Sequence, residues 1–208
     1  MKSIVYVYIL DTMADWELGY ITAAINTAAS YNQTTPVYSI QTVSLTKEPI
    51  LTLGDLTIIP DCSIDEINER ALAALLLPGA NTWNEAKHQT ILHKAEDYLN
   101  AGILVAAICG ATLALADLDL LNTRLHTSNS KEFLTTFSSH YTGGTFYQNT
   151  LAVTDSHLIT ASSAGSLLWA KQIMDYLDVL PKPMLEAWYN YHATGDPKYY
   201  TELMTSTQ

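Results

Sequence analysis

Cysteine is nearly missing from this chain, which places only Cys62 and Cys109 among 208 residues. Two isolated thiols do not make a disulfide framework, and their scarcity fits a reducing compartment, so the cytoplasm is the expected location. Positive charge is also scarce. Ten Lys and Arg face 21 Asp and Glu, a net charge of −11, which excludes a basic face for nucleic acid or for an anionic membrane surface. Long apolar runs are absent too. The charge-free stretch 99–116 is interrupted by Gly102 and Gly110 and is shorter than the ~20 residues that span a bilayer, so no membrane span is expected. The opening "MKSIVYVYILD" has too short an apolar region for a signal peptide and no small-residue cleavage site; it reads as a buried strand. There is no P-loop and no GxGxxG, and His88 and His93 stand five apart, off a common helix face. No metal and no cofactor is expected.

What is present is a large supply of core. Hydrophobic residues make up 48% of the chain, enough for a sizeable buried interior. "SIVYVYIL" (3–10) is apolar on both alternations, as a central parallel strand requires. Strands are expected again at 36–45, 72–77 and 103–108, with hairpins at 50–64, turning at Gly54–Asp55, and at 151–161, turning at Asp155–Ser156. Helical patterns fall at 16–30, 82–101 closed by Gly102, 111–121, 128–137 and 166–180. A short helix at 63–69 carries Ser63 as N-cap with Glu66 three residues on. The tail 183–204 reads as helix broken at Gly195–Pro197. Strands alternating with helices predict an α/β fold with a mostly parallel sheet.

Sites in such sheets form beyond the carboxyl ends of the strands. The run 103–108 ends at Cys109, flanked by Ala107, Gly110 and Ala111. Small neighbours permit a nucleophile elbow, a sharp strand-to-helix turn that lifts one side chain above the sheet. A helix N-terminus there is expected to lower the thiol pKa. The alternative is a small cysteine that merely fills space. Cys62, in "PDCSID", has no elbow around it and reads as incidental. Glu17 follows the first strand, where a carboxylate in the first helical turn is favoured by the peptide dipoles alone. His140 and His157 read as solvated, and Ser162 and Ser163 as helix caps. The Trp and Tyr residues are spread out and form no evident cage.

"MADWE" (13–17), "LLLPGAN" (75–81), "AAICGATLALA" (106–116), "LHTSNSKEF" (125–133) and "LAVTDSHLITASSAGS" (151–166) occur in this order. Together they resemble the ThiJ/PfpI family of the class I glutamine amidotransferase-like superfamily, over about residues 3–180. That family includes PfpI-type intracellular proteases, small cysteine-dependent glyoxalases and chaperones, and the Parkinsonism-associated deglycase. The subtype most resembled is bacterial and is usually labelled protease/amidase or glutamine amidotransferase-like. The resemblance implies a flavodoxin-like three-layer sandwich, commonly a homodimer. Residues 1–180 would form the family domain, and 181–208 a helical C-terminal extension packed on it.

Carried over residue by residue, Cys109 matches the elbow cysteine and Glu17 its acidic partner. An ionised Glu17 would raise the thiol pKa, whereas a buried, protonated one can donate to the sulfur. Gly79 and Gly110 match the backbone donors of an oxyanion hole. Ala80 stands where the family often has a second glycine. Protease-like members have a histidine directly after the cysteine; this chain has Gly110, which argues against proteolysis. His126 then becomes the candidate base or proton relay, against the reading of a surface or capping histidine. Glutamine amidotransfer is not expected, because no acceptor domain and no late His with the required spacing are evident.

Three functional readings follow. The first is a cysteine-dependent hydrolase/amidase or a glyoxalase- or deglycase-like enzyme on small carbonyl or amide compounds. The second is a redox-responsive stress protein in which an oxidant modifies Cys109. The third is a non-catalytic interaction module that keeps only the fold.

Overall fold

The computed structural model describes residues 3–31 and 37–205. Its central sheet is built from β1 (Ser3–Tyr8), β2 (Tyr38–Ser44), β5 (Cys62–Ser63), β6 (Leu72–Leu77), β7 (Leu104–Ile108), β8 (Ala152–Asp155) and β9 (Leu158–Ala161). Their order is β5-β2-β1-β6-β7-β9-β8, parallel except where β8 runs against β9. A separate antiparallel pair, β3 (Ile50–Leu51) and β4 (Thr57–Ile58), forms the expected hairpin. The helices are α1 (Gly19–Tyr31), α2 (Gln89–Asn100), α3 (Gly110–Ala116), α4 (Lys131–Phe137), α5 (Ser166–Tyr176), α6 (Lys182–Thr194) and α7 (Pro197–Thr205). This is the flavodoxin-like three-layer α/β sandwich. Residue 36 of the predicted second strand lies outside the described residues.

The central strands are apolar throughout because helices cover both faces. Every residue of β7, and Ala74–Leu77 of β6, is buried. α1 and α5 pack against each other, while α2 and α3 lie on β7; α6 packs on α5, and α7 on α6. The chain leaves β1 for β2 and β5 on one side, then returns through β6 to build the other. The strand order therefore reverses between β1 and β6, which opens a crevice at their carboxyl ends.

Several boundaries differ from the sequence reading, each for a local reason. α3 stops at Ala116 rather than running to 121, because Asp119 takes a left-handed conformation (φ 61) and the Leu120 amide turns back to Leu115 O. α4 begins at Lys131 rather than 128, because Ser130 takes the cap and its hydroxyl accepts from Phe133 N at 2.9 Å. That frees residues 128–130 to point elsewhere. The 82–101 helix is shortened to a 3-10 turn, Ala86–His88, followed by α2. Cys62 sits in β5 rather than in a loop, while Glu66 caps Ser63 N at 2.9 Å as expected. Ser162 makes no side-chain cap bond, and His157 is not simply solvated but pairs with Tyr176. Among the described residues no helix is long and apolar enough to cross a membrane.

Candidate active site

The crevice holds the predicted cysteine. Cys109 follows β7 with φ 57 and ψ −124, a backbone conformation that L-residues rarely adopt and that costs ~1–3 kcal/mol. Neighbouring bonds hold it there. Its amide donates to Ala161 O at 2.9 Å, and Thr112 Oγ1 donates to its carbonyl at 2.6 Å. The Thr112 hydroxyl is itself paired with Ser128 Oγ at 2.7 Å. The result is an elbow with a half-buried thiol above the sheet.

Glu17 closes a 3-10 turn, Asp15–Glu17, between β1 and α1, and is fully buried. Its Oε2 accepts the Gly79 amide at 2.6 Å. Its other oxygen, Oε1, is buried without an ordinary hydrogen-bond partner, and the Cys109 thiol is the neighbour that acts on it. Burial pushes the Glu17 carboxyl up to about 7, against the opposing pull of the Gly79 amide and the thiol. Near neutral pH this acid therefore exists both as carboxylate and as neutral carboxyl.

Gly79 separates the two groups. A Cβ there would fall 2.6 Å from Cys109 Cβ and 2.9 Å from both Cys109 Sγ and Glu17 Oε1. Its amide, expected in an oxyanion hole, is instead committed to Glu17. A carboxyl acceptor aligned at hydrogen-bonding distance leaves that donor nothing to offer a substrate. Gly110 has an equally tight constraint: a Cβ there would meet Ala80 O at 2.7 Å. A histidine at 110 has no room unless the 79–81 loop moves.

His126 is not brought to the thiol. It is fully buried and does not line the pocket over the sulfur. Nδ1 pairs with Arg124 O at 2.7 Å and Nε2 with Tyr141 OH at 2.8 Å. Burial pushes its pKa down, so it is a neutral core histidine rather than a base on the sulfur. The same segment does reach the site three residues later. Asn129 Nδ2 donates to Cys109 Sγ at 3.3 Å, while its Oδ1 accepts from Ser163 N at 2.9 Å. Because the carbonyl end is taken by a backbone donor, the NH2 end is turned to the sulfur. Sequence reasoning missed Asn129; the signal was Ser130, whose cap role releases the preceding residue from α4.

The expected lowering of the thiol pKa is reversed. Burial pushes it up, and Glu17 adds to this; Asn129 and the Gly110 amide pull the other way. Removal from water outweighs the amides of a helix only seven residues long.

A pocket of about 200 Å3 opens over the sulfur, lined also by Trp16, Leu53 and Phe133. The β3–β4 hairpin forms one wall. It is strapped to the loop after β1 by Gly54 N to Asp15 Oδ2 at 2.7 Å and by Leu53 N to Met13 O at 2.9 Å. Trp16 reaches the pocket on the 3-10 turn that carries Glu17, and Leu53 on the hairpin; sequence reasoning missed both.

The DJ-1/PfpI family profile matches residues 3–175. The chain is 43% identical over 202 residues to the uncharacterized protease YoaZ of Bacillus subtilis (strain 168), covering 97% of this chain and 96% of that one. Among solved structures it is similar to a ThiJ/PfpI family protein from Bacillus anthracis, with TM-score 0.93, 40% identity and coverage of 99% and 97%. The DJ-1 superfamily protein Atu0886 from Agrobacterium tumefaciens has TM-score 0.78 at 25% identity, covering 93% of this chain and 98% of its own. With the elbow cysteine, its acidic neighbour and the reversed strand order, these matches establish that the chain belongs to the DJ-1/PfpI family.

Proposed function

We propose that the protein is a cysteine-dependent enzyme acting on small carbonyl or amide compounds, a hydrolase/amidase or a glyoxalase- or deglycase-like catalyst. One observation carries this reading: the elbow thiol adjoins a buried carboxyl whose pKa is about 7. An acid–base group works best when its pKa lies near the operating pH. Glu17 thus takes the role that sequence reasoning gave to His126. As Cys109 Sγ attacks a carbonyl carbon, its proton passes to the Glu17 carboxylate. The carbonyl electron pair moves to oxygen, where the amides of Ala80 and Gly110, which line the same pocket, are the donors available to it. The Glu17 acid then returns the proton, to the oxygen of an aldehyde or to the leaving amine of an amide. In the amide case, water releases the acyl group from sulfur.

YoaZ is named a protease, but a proteolytic reading is not favoured here. Among the described residues no imidazole lines the pocket over the sulfur, and the 79–81 loop occupies the place a histidine after the cysteine would need. The test is turnover of glutamine-like amides, short peptides and methylglyoxal by wild type and Cys109→Ala. Loss of turnover in the variant supports the reading; equal inertness across the panel overturns it.

A second reading draws on the protonated form of the same carboxyl. A Cys109 oxidised by peroxide to the sulfinic level would find a hydrogen-bond donor in protonated Glu17. Mild peroxide followed by intact-mass analysis separates the two readings, and Cys62 oxidising before Cys109 counts against the redox role. We further propose a cytoplasmic homodimer, from the scarcity of cysteine and the family resemblance.

A further inference from the structure

We propose that the Cys109 site selects neutral or cationic carbonyl compounds bearing an aromatic or extended apolar group, and that it rejects carboxylates; this rests on the cysteine chemistry proposed above and names its substrate class. The pocket over the sulfur does not end at Phe133. A second cleft of about 340 Å3 shares Ala80, Asn81, Gly110 and Phe133 with it and continues past Leu113 to Phe137 and Asp117. The two adjoin at these four residues as a trough, with the thiol in the first of them. Its rim carries large apolar side chains left in water: Trp16 is 55% exposed, Leu53 50% and Phe137 66%. Contiguous exposed apolar surface beside a reactive group marks a place where apolar ligand is received. Phe133 and Phe137 lie one turn apart on α4 with ring centroids 5.5 Å apart, a slot edge against which a planar group can stack.

Charge decides the other half of the inference. Among the described residues, Cys109 is the one ionisable side chain that lines the first pocket, and the second adds Asp117, which is exposed. Recognition of a carboxylate calls for Arg, Lys or a comparable cluster of donors. Neither Arg nor Lys lines the trough among the described residues. A net charge of −11 further opposes the approach of anions. The polar side chains that do line it, Thr12, Asn81, Asn84 and Asn129, are neutral, and Asn81 and Asn84 carry amides suited to a carbonyl or hydroxyl. For an aldehyde of this class, the S–C bond forms as the carbonyl π bond breaks. The oxygen takes the proton that the thiol gave to Glu17, and the hemithioacetal forms without oxidant or leaving group.

The test is alkylation of Cys109 in the full chain by three probes: iodoacetamide, N-phenyliodoacetamide and iodoacetate. In each, sulfur displaces iodide. Labelling of Cys109 is followed by peptide mass, apart from Cys62, and each rate is divided by that of glutathione at the same pH. Ring burial worth a modest ~1.4 kcal/mol makes the phenyl probe about tenfold faster than iodoacetamide, and iodoacetate should be the slowest of the three. Phe137→Ala, at an exposed position that does not threaten folding, should lower the phenyl preference severalfold. A normalised phenyl ratio near unity, or iodoacetate reacting fastest, overturns the inference. Selective labelling without turnover would remove the enzymatic reading and leave the ligand class standing. Cysteine-dependent turnover with flat labelling would do the reverse. A Cys109 that none of the probes labels ends both.

Discussion

Gly79 donates its amide to Glu17 Oε2 at 2.6 Å, and it is also the spacer that lets Glu17 and Cys109 share one side of the crevice. A single methyl would fill that gap. Gly79→Ala should cost about 1–3 kcal/mol through overpacking and disturb the thiol–acid pair. A lower Tm together with an altered pH dependence of Cys109 alkylation is the expected result. An unchanged melting curve would show that the crevice is looser than these distances imply.

Glu17 should weaken the fold as pH rises. Folding raises its pKa from 4.5 to about 7, so the folded state holds the proton longer than the unfolded chain does. The stability it permits is present below pH 4.5 and is lost as pH climbs through about 7. Over that span the loss is about 3 kcal/mol. Glu17→Gln removes the ionisation while keeping an acceptor for the Gly79 amide. Denaturant titrations at pH 5 and pH 8 should show the variant gaining on wild type at the higher pH. The same relative stability at both would mean that the carboxyl is not desolvated.

Asn129 lowers the thiol pKa by donating to the sulfur. Asn129→Leu should move the midpoint of Cys109 alkylation up, since a hydrogen bond that favours the thiolate is lost. Asn129→Asp should move it further, because a second carboxylate then faces the thiolate. Midpoints in the reverse order would remove Asn129 from the site.

Restoring the histidine of protease-like relatives should not create a protease. Gly110→His sets a Cβ 2.7 Å from Ala80 O, closer than real Cβ contacts come. The expected outcome is a fold weakened by roughly 1–3 kcal/mol and no gain in peptide hydrolysis, read by thermal melting and a fluorogenic peptide panel.

Acid should unfold the protein partly through its buried histidines. His88 is 2% exposed, with Nδ1 paired to Tyr8 OH at 2.8 Å and Nε2 unpartnered. Burial pushes its pKa below the ordinary 6.5, so the unfolded chain binds the proton first and stability falls as pH drops through that range. His88→Gln keeps an acceptor for Tyr8 and should flatten this acid limb in urea titrations between pH 7 and pH 5. An unchanged slope would assign the acid loss to other groups.

Much of the scaffold could be read along the chain because it depends on local pattern. The two-sided apolar strands, the small residues around Cys109 and the Gly195–Pro197 break each act through near neighbours. β7, the elbow and the α6–α7 boundary appear where those signals fall. Where local caps competed, the reading slipped. Asp119 ended α3 early and Ser130 delayed α4, since one left-handed residue or one capping hydroxyl outweighs a continuing apolar period.

The composition and order of residues by themselves determined an acidic α/β chain with an apolar parallel sheet, and with its cysteine and its key carboxylate each at the end of a strand. Only the tertiary structure decided what those groups meet. It turned the Gly79 amide to Glu17, buried His126 among Arg124 and Tyr141, and brought Asn129 and the hairpin's Leu53 to the sulfur. The reason is physical. Periodicity and propensity act over a few residues, whereas desolvation and hydrogen-bond direction at the crevice arise between segments far apart in sequence, Glu17 and Cys109 among them.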